Sequence, residues 1–409
     1  MIAHRKAVSQ YFLLVEMTLG FNCFNRRAMS SMSSLNMMNF IRAKASSSII
    51  EDSMKEEPDD VLFEEKNNVG IITLNRPKAL NALNLSMAKK LYTKLIQWQN
   101  VERKDLVIIQ GAGGKSFCAG GDVVTITKQG PAIGAALGRM FFQQEYTLDH
   151  LIGHYKLPYV ALLDGYTMGG GVGLSVHGKY RVATDKTTFA MPETTIGLFP
   201  DVGGSYFLPR LKPAALGLYL ALTSYQLKGK DVAKCGIATH YIPSSNLTQV
   251  VSNLVAEPSK VEEILKSNTE NLDSYEFSLT PHLDTIQHAF SAPTVEQIVS
   301  RLEQKNDEFS NKTLSTLKRM SPISMKITHK QLQLGAGKSL TECLKMEYRL
   351  ACAAVDAKSS PDFYEGVRAL LIDKDKSPKW NPPSLEQVTS YMVDQCFEED
   401  PNVEITLDH

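Results

Sequence analysis

Three consecutive glycines followed by two acids are the residues of this chain best suited to chemistry. Between Met168 and Asp201 the sequence reads Met168-Gly169-Gly170-Gly171-Val172-Gly173, then Met191-Pro192-Glu193, then Phe199-Pro200-Asp201. A glycine has no Cβ, so its backbone N–H can approach a ligand oxygen closely. Two N–H groups aimed at an oxygen that gains charge contribute roughly 3–4 kcal/mol each in a dry site. A second glycine-rich loop, residues 111–121, follows the apolar run Leu106 to Gln110. Glu193 and Asp201 lie on a stretch punctuated by Pro192, Gly197 and Pro200, which cannot be one regular helix. Glycine-built oxyanion sites with two nearby acids suit acyl or enolate chemistry. Each part has a plainer reading by itself. The glycines could simply make tight turns, Glu193 could be a solvated loop acid, and Asp201 could cap a helix starting near Ser205.

Taken together, these motifs resemble the crotonase (enoyl-CoA hydratase/isomerase) superfamily and, within it, the 3-hydroxyisobutyryl-CoA hydrolases of the plant mitochondrial type. Arg319-Met320-Ser321-Pro322, Met346-Glu347-Tyr348-Arg349 and Glu365-Gly366-Val367-Arg368-Ala369 through Lys379-Trp380 resemble that group's C-terminal signatures. The resemblance covers roughly residues 60–390. It implies that the oxyanion donors are Gly121, in Phe117-Cys118-Ala119-Gly120-Gly121-Asp122, and Gly170. It implies Glu193 as nucleophile or as the base that deprotonates water, with the nucleophile favoured, and Asp201 as a second catalytic carboxylate. Glu145, in Phe142-Gln143-Gln144-Glu145-Tyr146, joins Gly170, Glu193 and Asp201 in holding the substrate. Lys78 and Ala79 fall where the family places its first coenzyme A loop. No separate cofactor is implied, since coenzyme A is part of the substrate. In the hydratases the position of Gly173 carries a glutamate; here it is a hydrogen, which argues against a hydratase.

The expected activity is therefore hydrolysis of a small β-hydroxyacyl-CoA thioester, 3-hydroxyisobutyryl-CoA by resemblance, in valine breakdown. An alternative of another class is a non-enzymatic crotonase-fold subunit of a mitochondrial assembly, because relatives of this group occur in plant mitochondrial ribosomes. A third, weaker reading is an enoyl-CoA hydratase or isomerase. Homo-oligomers are common among crotonases, and this group is often smaller.

The elements that must position these residues can be read from periodicity. Val61–Glu65 and Val69–Leu74 are β-rich runs separated by Asn67-Asn68, a hairpin signal. Ser86 is a candidate cap for a helix reaching about Gln99, with Met87, Leu91, Leu95 and Trp98 on one face. A later helix carries Phe141, Phe142 and Glu145 towards His154, and Tyr159–Leu163 and Tyr180–Ala183 read as buried strands. Alternating strands and helices indicate layered α/β structure. The resemblance specifies a crotonase spiral of ββα units over 61–255, a helical region over 256–395 and a tail over 396–409. Gly111-Ala112-Gly113-Gly114-Lys115-Ser116 suggests a phosphate loop, but Ile109 stands where the spacing needs glycine. His150 and His154 have metal-ligand spacing without an evident third ligand, so no metal site is expected.

Composition narrows the partners. The 409 residues are 43% hydrophobic and 22% charged with a formal charge of zero, so no global field invites DNA or an anionic membrane. Six scattered cysteines (Cys23, Cys118, Cys235, Cys343, Cys352, Cys396) lack a C-x-x-C pair, which fits a reducing compartment. Residues 1–50 are basic, serine-rich and hold a single acid, Glu16, the composition of an import segment. The apolar run from Tyr11 to Phe21 is too short to span a membrane. An acidic linker, 51–60, follows. The expected address is the mitochondrial matrix.

Overall fold

The computed structural model describes residues 55–407, together with Ser48 and Glu51. Apart from Ser48, the basic serine-rich segment lies outside the described residues, as does Cys23. Ten strands are described: β1 Val61–Lys66, β2 Val69–Leu74, β3 Leu106–Gly111, β4 Ser116–Cys118, β5 Tyr159–Leu163, β6 Tyr166–Met168, β7 Tyr180–Ala183, β8 Thr188–Ala190, β9 Leu227–Lys228 and β10 His240–Tyr241. β1 and β2 form the expected hairpin, with Asn67 and Asn68 both left-handed, the twist that two-residue hairpin turns favour.

Two sheets result, in orders β1-β2-β3-β5-β7-β10 and β4-β6-β8-β9. The chain lays one strand in each sheet per turn: β3 then β4, β5 then β6, β7 then β8. β4, β6 and β8 are parallel neighbours, so their C-terminal ends lie side by side. Each of those ends leads into one of the motifs singled out above. This is the crotonase-type winding that the resemblance implies.

The larger sheet is apolar on both faces, as expected for parallel strands covered on each side. Alternation divides it cleanly. Ile72, Leu74, Val107, Ile109, Ala161 and Leu163 enter the main core, whereas Val69, Ile71, Leu106, Ile108, Val160 and Leu162 pack under Val250, Leu254, Val261 and Leu265.

Five helices matter to the site. α1 spans Leu85–Gln97, α2 Pro131–Gly153, α3 Gly170–Val176, α4 Pro322–Gly335 and α5 Leu340–Val355. Asn84, not Ser86, caps α1: its extended backbone lets the side chain accept from Met87 N at 2.7 Å. Ser86 lies inside the helix, and its hydroxyl accepts from Glu57 N instead. α5 lies along α2, where Tyr146 and Tyr348 meet edge-on and Arg139 pairs with Asp356. The C-terminal helices thus belong to the same compact unit as the sheets. The stretch expected as a tail is not loose. Cys396 ends up inside the helix Ser390–Phe397, and Ile405 and Leu407 are buried in the main core. Among the described residues, no helix is long and apolar enough to cross a membrane.

Candidate active site

The ends of β4, β6 and β8 deliver the two glycine loops and Glu193 to one place. A Cβ on Gly170 would stand 3.3 Å from Gly121 N, and one on Gly169 would stand 3.5 Å from Gly120 Cα. The two proposed N–H donors are therefore neighbours. Gly170 opens α3, so its N–H has no intrahelical carbonyl to bond. Gly169 has φ 45°, a conformation that a side chain would strain, and a Cβ there would meet Glu193 Oε1 at 2.8 Å. These glycines are required by close approach, not only by turning.

Glu145 enters from α2. A Cβ on Gly170 would stand 2.4 Å from Glu145 Oε1, and one on Gly121 would stand 3.8 Å from the same atom. Glu145 thus lies across both glycines, where the sequence reading puts a substrate-holding acid. Asp201 follows β8 by a longer route, and its Oδ2 accepts from Tyr146 Oη at 2.8 Å. Glu145, Glu193 and Asp201 are all buried. Glu145 Oε1 and Glu193 Oε2 have no hydrogen-bond partner among the described residues.

Burial without cations dictates the protonation of these acids. Desolvation, then the Asp201 charge, pushes the Glu193 carboxyl well above the usual range. Glu145 is pushed up by burial and then by Asp201, Asp149 and Glu193. Burial raises Asp201 to about 7, opposed by the Tyr146 hydrogen bond. An acid held near neutrality, as Asp201 is, can exchange protons at physiological pH.

The turns carrying Glu193 and Asp201 are braced by the C-terminal signatures. Glu193 begins a short turn, Glu193–Ile196, whose Thr194 carbonyl accepts from Ser321 N at 3.1 Å. Ser321 also caps α4 and donates its hydroxyl to Asp362 Oδ2 at 2.6 Å. Gly366 lies so close to Ile196 that a Cβ there would meet the Ile196 carbonyl carbon at 2.3 Å. Beyond Asp201, Val202 is left-handed and its carbonyl accepts from His177 Nε2 at 2.7 Å. Burial lowers His177 to about 4, so it serves as a neutral donor. The helix that Asp201 could have capped, read from sequence as starting near Ser205, starts at Gly204 with Gly203 as its cap residue. Gly204 N bonds the Asp201 carbonyl at 2.8 Å, and the carboxylate that accepts from the backbone at this end is that of Glu347, not Asp201. Glu347 Oε2 accepts from Gly203 N at 2.7 Å and Oε1 accepts from Ser205 N at 2.8 Å. The Asp201 carboxyl is thus not spent as a cap and accepts from Tyr146 Oη instead.

Glu347→Ala is expected to destabilise the fold by about 3 kcal/mol or more, because two buried N–H groups and the Ser205 hydroxyl lose their acceptor. Urea unfolding at neutral pH measures it; an unchanged midpoint would show that the brace is dispensable.

Lys78 and Ala79 lie on the exposed turn Pro77–Ala79. Leu80, next in the chain, accepts from Ala119 N, and Leu83 bonds Gly120 and Asp122, so this turn borders the Gly121 loop. The phosphate-loop look-alike has a packing role. Asn81 Nδ2 donates to Ala112 O and Ser116 O, closing that loop against the β2–α1 connection. His150 Nε2 lies 2.8 Å from Thr341 Oγ1, and His154 Nδ1 bonds the His150 carbonyl, so both rings have structural partners. No group of three or more metal-ligating side chains is found among the described residues.

Sequence reasoning missed Asp149. It lies one helical turn after Glu145 on α2, is fully buried, and comes within 2.6 Å of where a Gly173 Cβ would be. The signal was the i,i+4 spacing of two acids on a helix otherwise lined with Phe141, Phe142, Tyr146 and Leu148.

The family model for enoyl-CoA hydratase/isomerase matches residues 69–397. The chain belongs to the enoyl-CoA hydratase/isomerase family. Within this family it is 54% identical over 338 residues to the mitochondrial 3-hydroxyisobutyryl-CoA hydrolase of Xenopus laevis, covering 80% of this chain and 86% of that protein. It is 49% identical over 346 residues to the mitochondrial 3-hydroxyisobutyryl-CoA hydrolase of Homo sapiens, covering 83% and 88%. Among solved structures, a carnitinyl-CoA dehydratase from Mycobacterium thermoresistibile matches with a TM-score of 0.79 and 36% identity, covering 85% of this chain and 99% of that one. The fold and the crotonase assignment of this family member therefore rest on sequence and on shape alike.

Proposed function

We propose that this chain hydrolyses 3-hydroxyisobutyryl-CoA to the free hydroxy acid and coenzyme A, in the mitochondrial matrix, as a step of valine breakdown. The observation that carries the reading is Glu193: a buried carboxyl with Oε2 unpaired among the described residues, beside two adjacent glycine amides. The relatives that match over most of the chain bear the name of that hydrolase. The thioester oxygen is held by Gly121 N–H and Gly170 N–H. Glu193, as the carboxylate, attacks the carbonyl carbon, the C–S bond breaks, and the thiolate takes a proton from solvent to leave as coenzyme A. Water then attacks the acyl carbon of the mixed anhydride, the bond from that carbon to the Glu193 oxygen breaks to release the free hydroxy acid and the Glu193 carboxylate, and Asp201 accepts the proton of the water. Direct attack by water activated by Glu193 uses the same groups. Gly173 disfavours hydration, because a Cβ there would meet Asp149 Oδ1 at 2.6 Å and Val202 Cβ at 2.8 Å. The slot has no room for a side chain.

A thiol-release assay on purified protein with a panel of acyl-CoAs tests the reading. Fastest turnover is expected on 3-hydroxyisobutyryl-CoA, and no release from any thioester would overturn it.

The pH dependence has two opposite signs. Asp201 must be ionised to accept a proton, so kcat/KM is expected to rise as pH passes about 7. Its folded pKa is raised, so its contribution to stability is complete below the unfolded carboxylate range and is lost as pH rises through about 7. Asp201→Asn should remove that loss, measured by urea unfolding between pH 5 and pH 8. Equal slopes for parent and variant would contradict the assignment.

A further inference from the structure

Asp149 is a buried acid that the hydrolytic mechanism above does not use. It is fully buried, and neither Oδ1 nor Oδ2 has a hydrogen-bond partner among the described residues. It projects from α2 into the space over Gly173, one helical turn from Glu145. We propose that Asp149 is a positioning residue that keeps its proton throughout turnover, so that the negative charge of the acid cluster resides on Glu193 and Asp201. The proposal rests on the hydrolase reading for its catalytic meaning.

An ionised carboxylate in a dry site without donors is strongly disfavoured. Among the described residues, no donor reaches either Asp149 oxygen. Glu145 faces it from the same helix, and Asp201 and Glu347 approach from other elements. Tyr159 on β5 lies near enough to feel its charge, and His177, across the Asp201 turn, is held neutral. Burial first, then Asp201 and Glu347, pushes the Asp149 carboxyl well above its ordinary range. Like charges this close cannot all ionise. Glu193 and Asp201 do the chemistry, and Asp201 is the one stabilised by a phenolic donor, Tyr146. Asp149, with no donor at either oxygen and no part in the chemistry, stays neutral. When it does ionise at alkaline pH, its charge opposes that of Asp201, and turnover falls.

Asp149→Asn keeps the shape and fixes the neutral state. The kcat/KM–pH profile of the full chain is expected to lose its alkaline limb or shift it upward by at least one pH unit, with the acid limb retained. An unshifted alkaline limb, or a loss of the same factor at every pH, would overturn the proposal. A second readout needs no turnover. The unfolding equilibrium of the parent should change with pH by one proton more than that of Asp149→Asn, a tenfold difference per pH unit between the unfolded and folded pKa values. Identical slopes overturn the proposal, whereas absent thiol release with different slopes would sink only the hydrolase reading. Asp149→Ser, smaller and also neutral, guards against a packing fault in the asparagine variant. If both neutral variants fail to fold, the ionised form is what the structure needs, and the proposal is wrong.

Discussion

Glu193→Gln is expected to lower kcat on 3-hydroxyisobutyryl-CoA by on the order of 10²–10⁴, the range typical of a lost acid or base in the transition state. Glutamine keeps the shape at the end of β8 but is neither nucleophile nor base. Asp201→Asn should cost a comparable factor, since it removes the acceptor of the proton released in the same passage. The double variant should be little worse than the worse single one, because residues acting as a unit are non-additive. Coenzyme A binding should survive, as neither acid is proposed to hold the nucleotide. Steady-state kinetics of the three variants, with circular dichroism alongside, decide the matter. Wild-type turnover in Glu193→Gln on every acyl-CoA would end the catalytic assignment.

Gly170→Pro is the second large effect. Proline removes the N–H that should hold the thioester oxygen, and loss of one such donor costs about 10²–10³ in kcat. The backbone can accept the change better than most positions, because Gly170 is the first residue of α3, where proline is common. The ring would press on Glu145 Oε1, which lies 2.4 Å from the Cβ position; this is the end of a flexible side chain and can move. Thiol release should collapse while the far-ultraviolet dichroism stays close to the parent. Full activity in a folded variant would remove Gly170 from the mechanism.

Much of the proposed site was legible because its candidate residues are glycines and acids at fixed points after apolar strands. Gly121, Gly170, Glu145, Glu193 and Asp201 were all named from sequence and resemblance, and the structure brings the glycine loops, Glu145 and Glu193 into contact distance. Capping was less legible. Ser86 and Asp201 were both plausible caps by residue type, yet Asn84 holds the extended backbone in one case and Glu347 arrives from 142 residues away in the other. Local propensity names candidates for a cap; the backbone conformation and distant acceptors choose among them.

By itself, the sequence determined which strands are buried on both faces, where the glycine turns fall and which acids follow them, because two-fold and helical periodicities are local properties. Tertiary structure decided what those residues do to one another. Only the spiral sets β4, β6 and β8 side by side, so that loops at residues 121, 170 and 193 converge. The Ser321, Glu347 and Gly366 signatures gained their meaning in the same way, as braces on the turns of Glu193 and Asp201. The i,i+4 spacing with Glu145 flags Asp149 in the sequence, but its charge state could not be weighed there. A carboxyl's charge depends on how much water and how many donors surround it, and that is fixed only when α2 packs over Gly173.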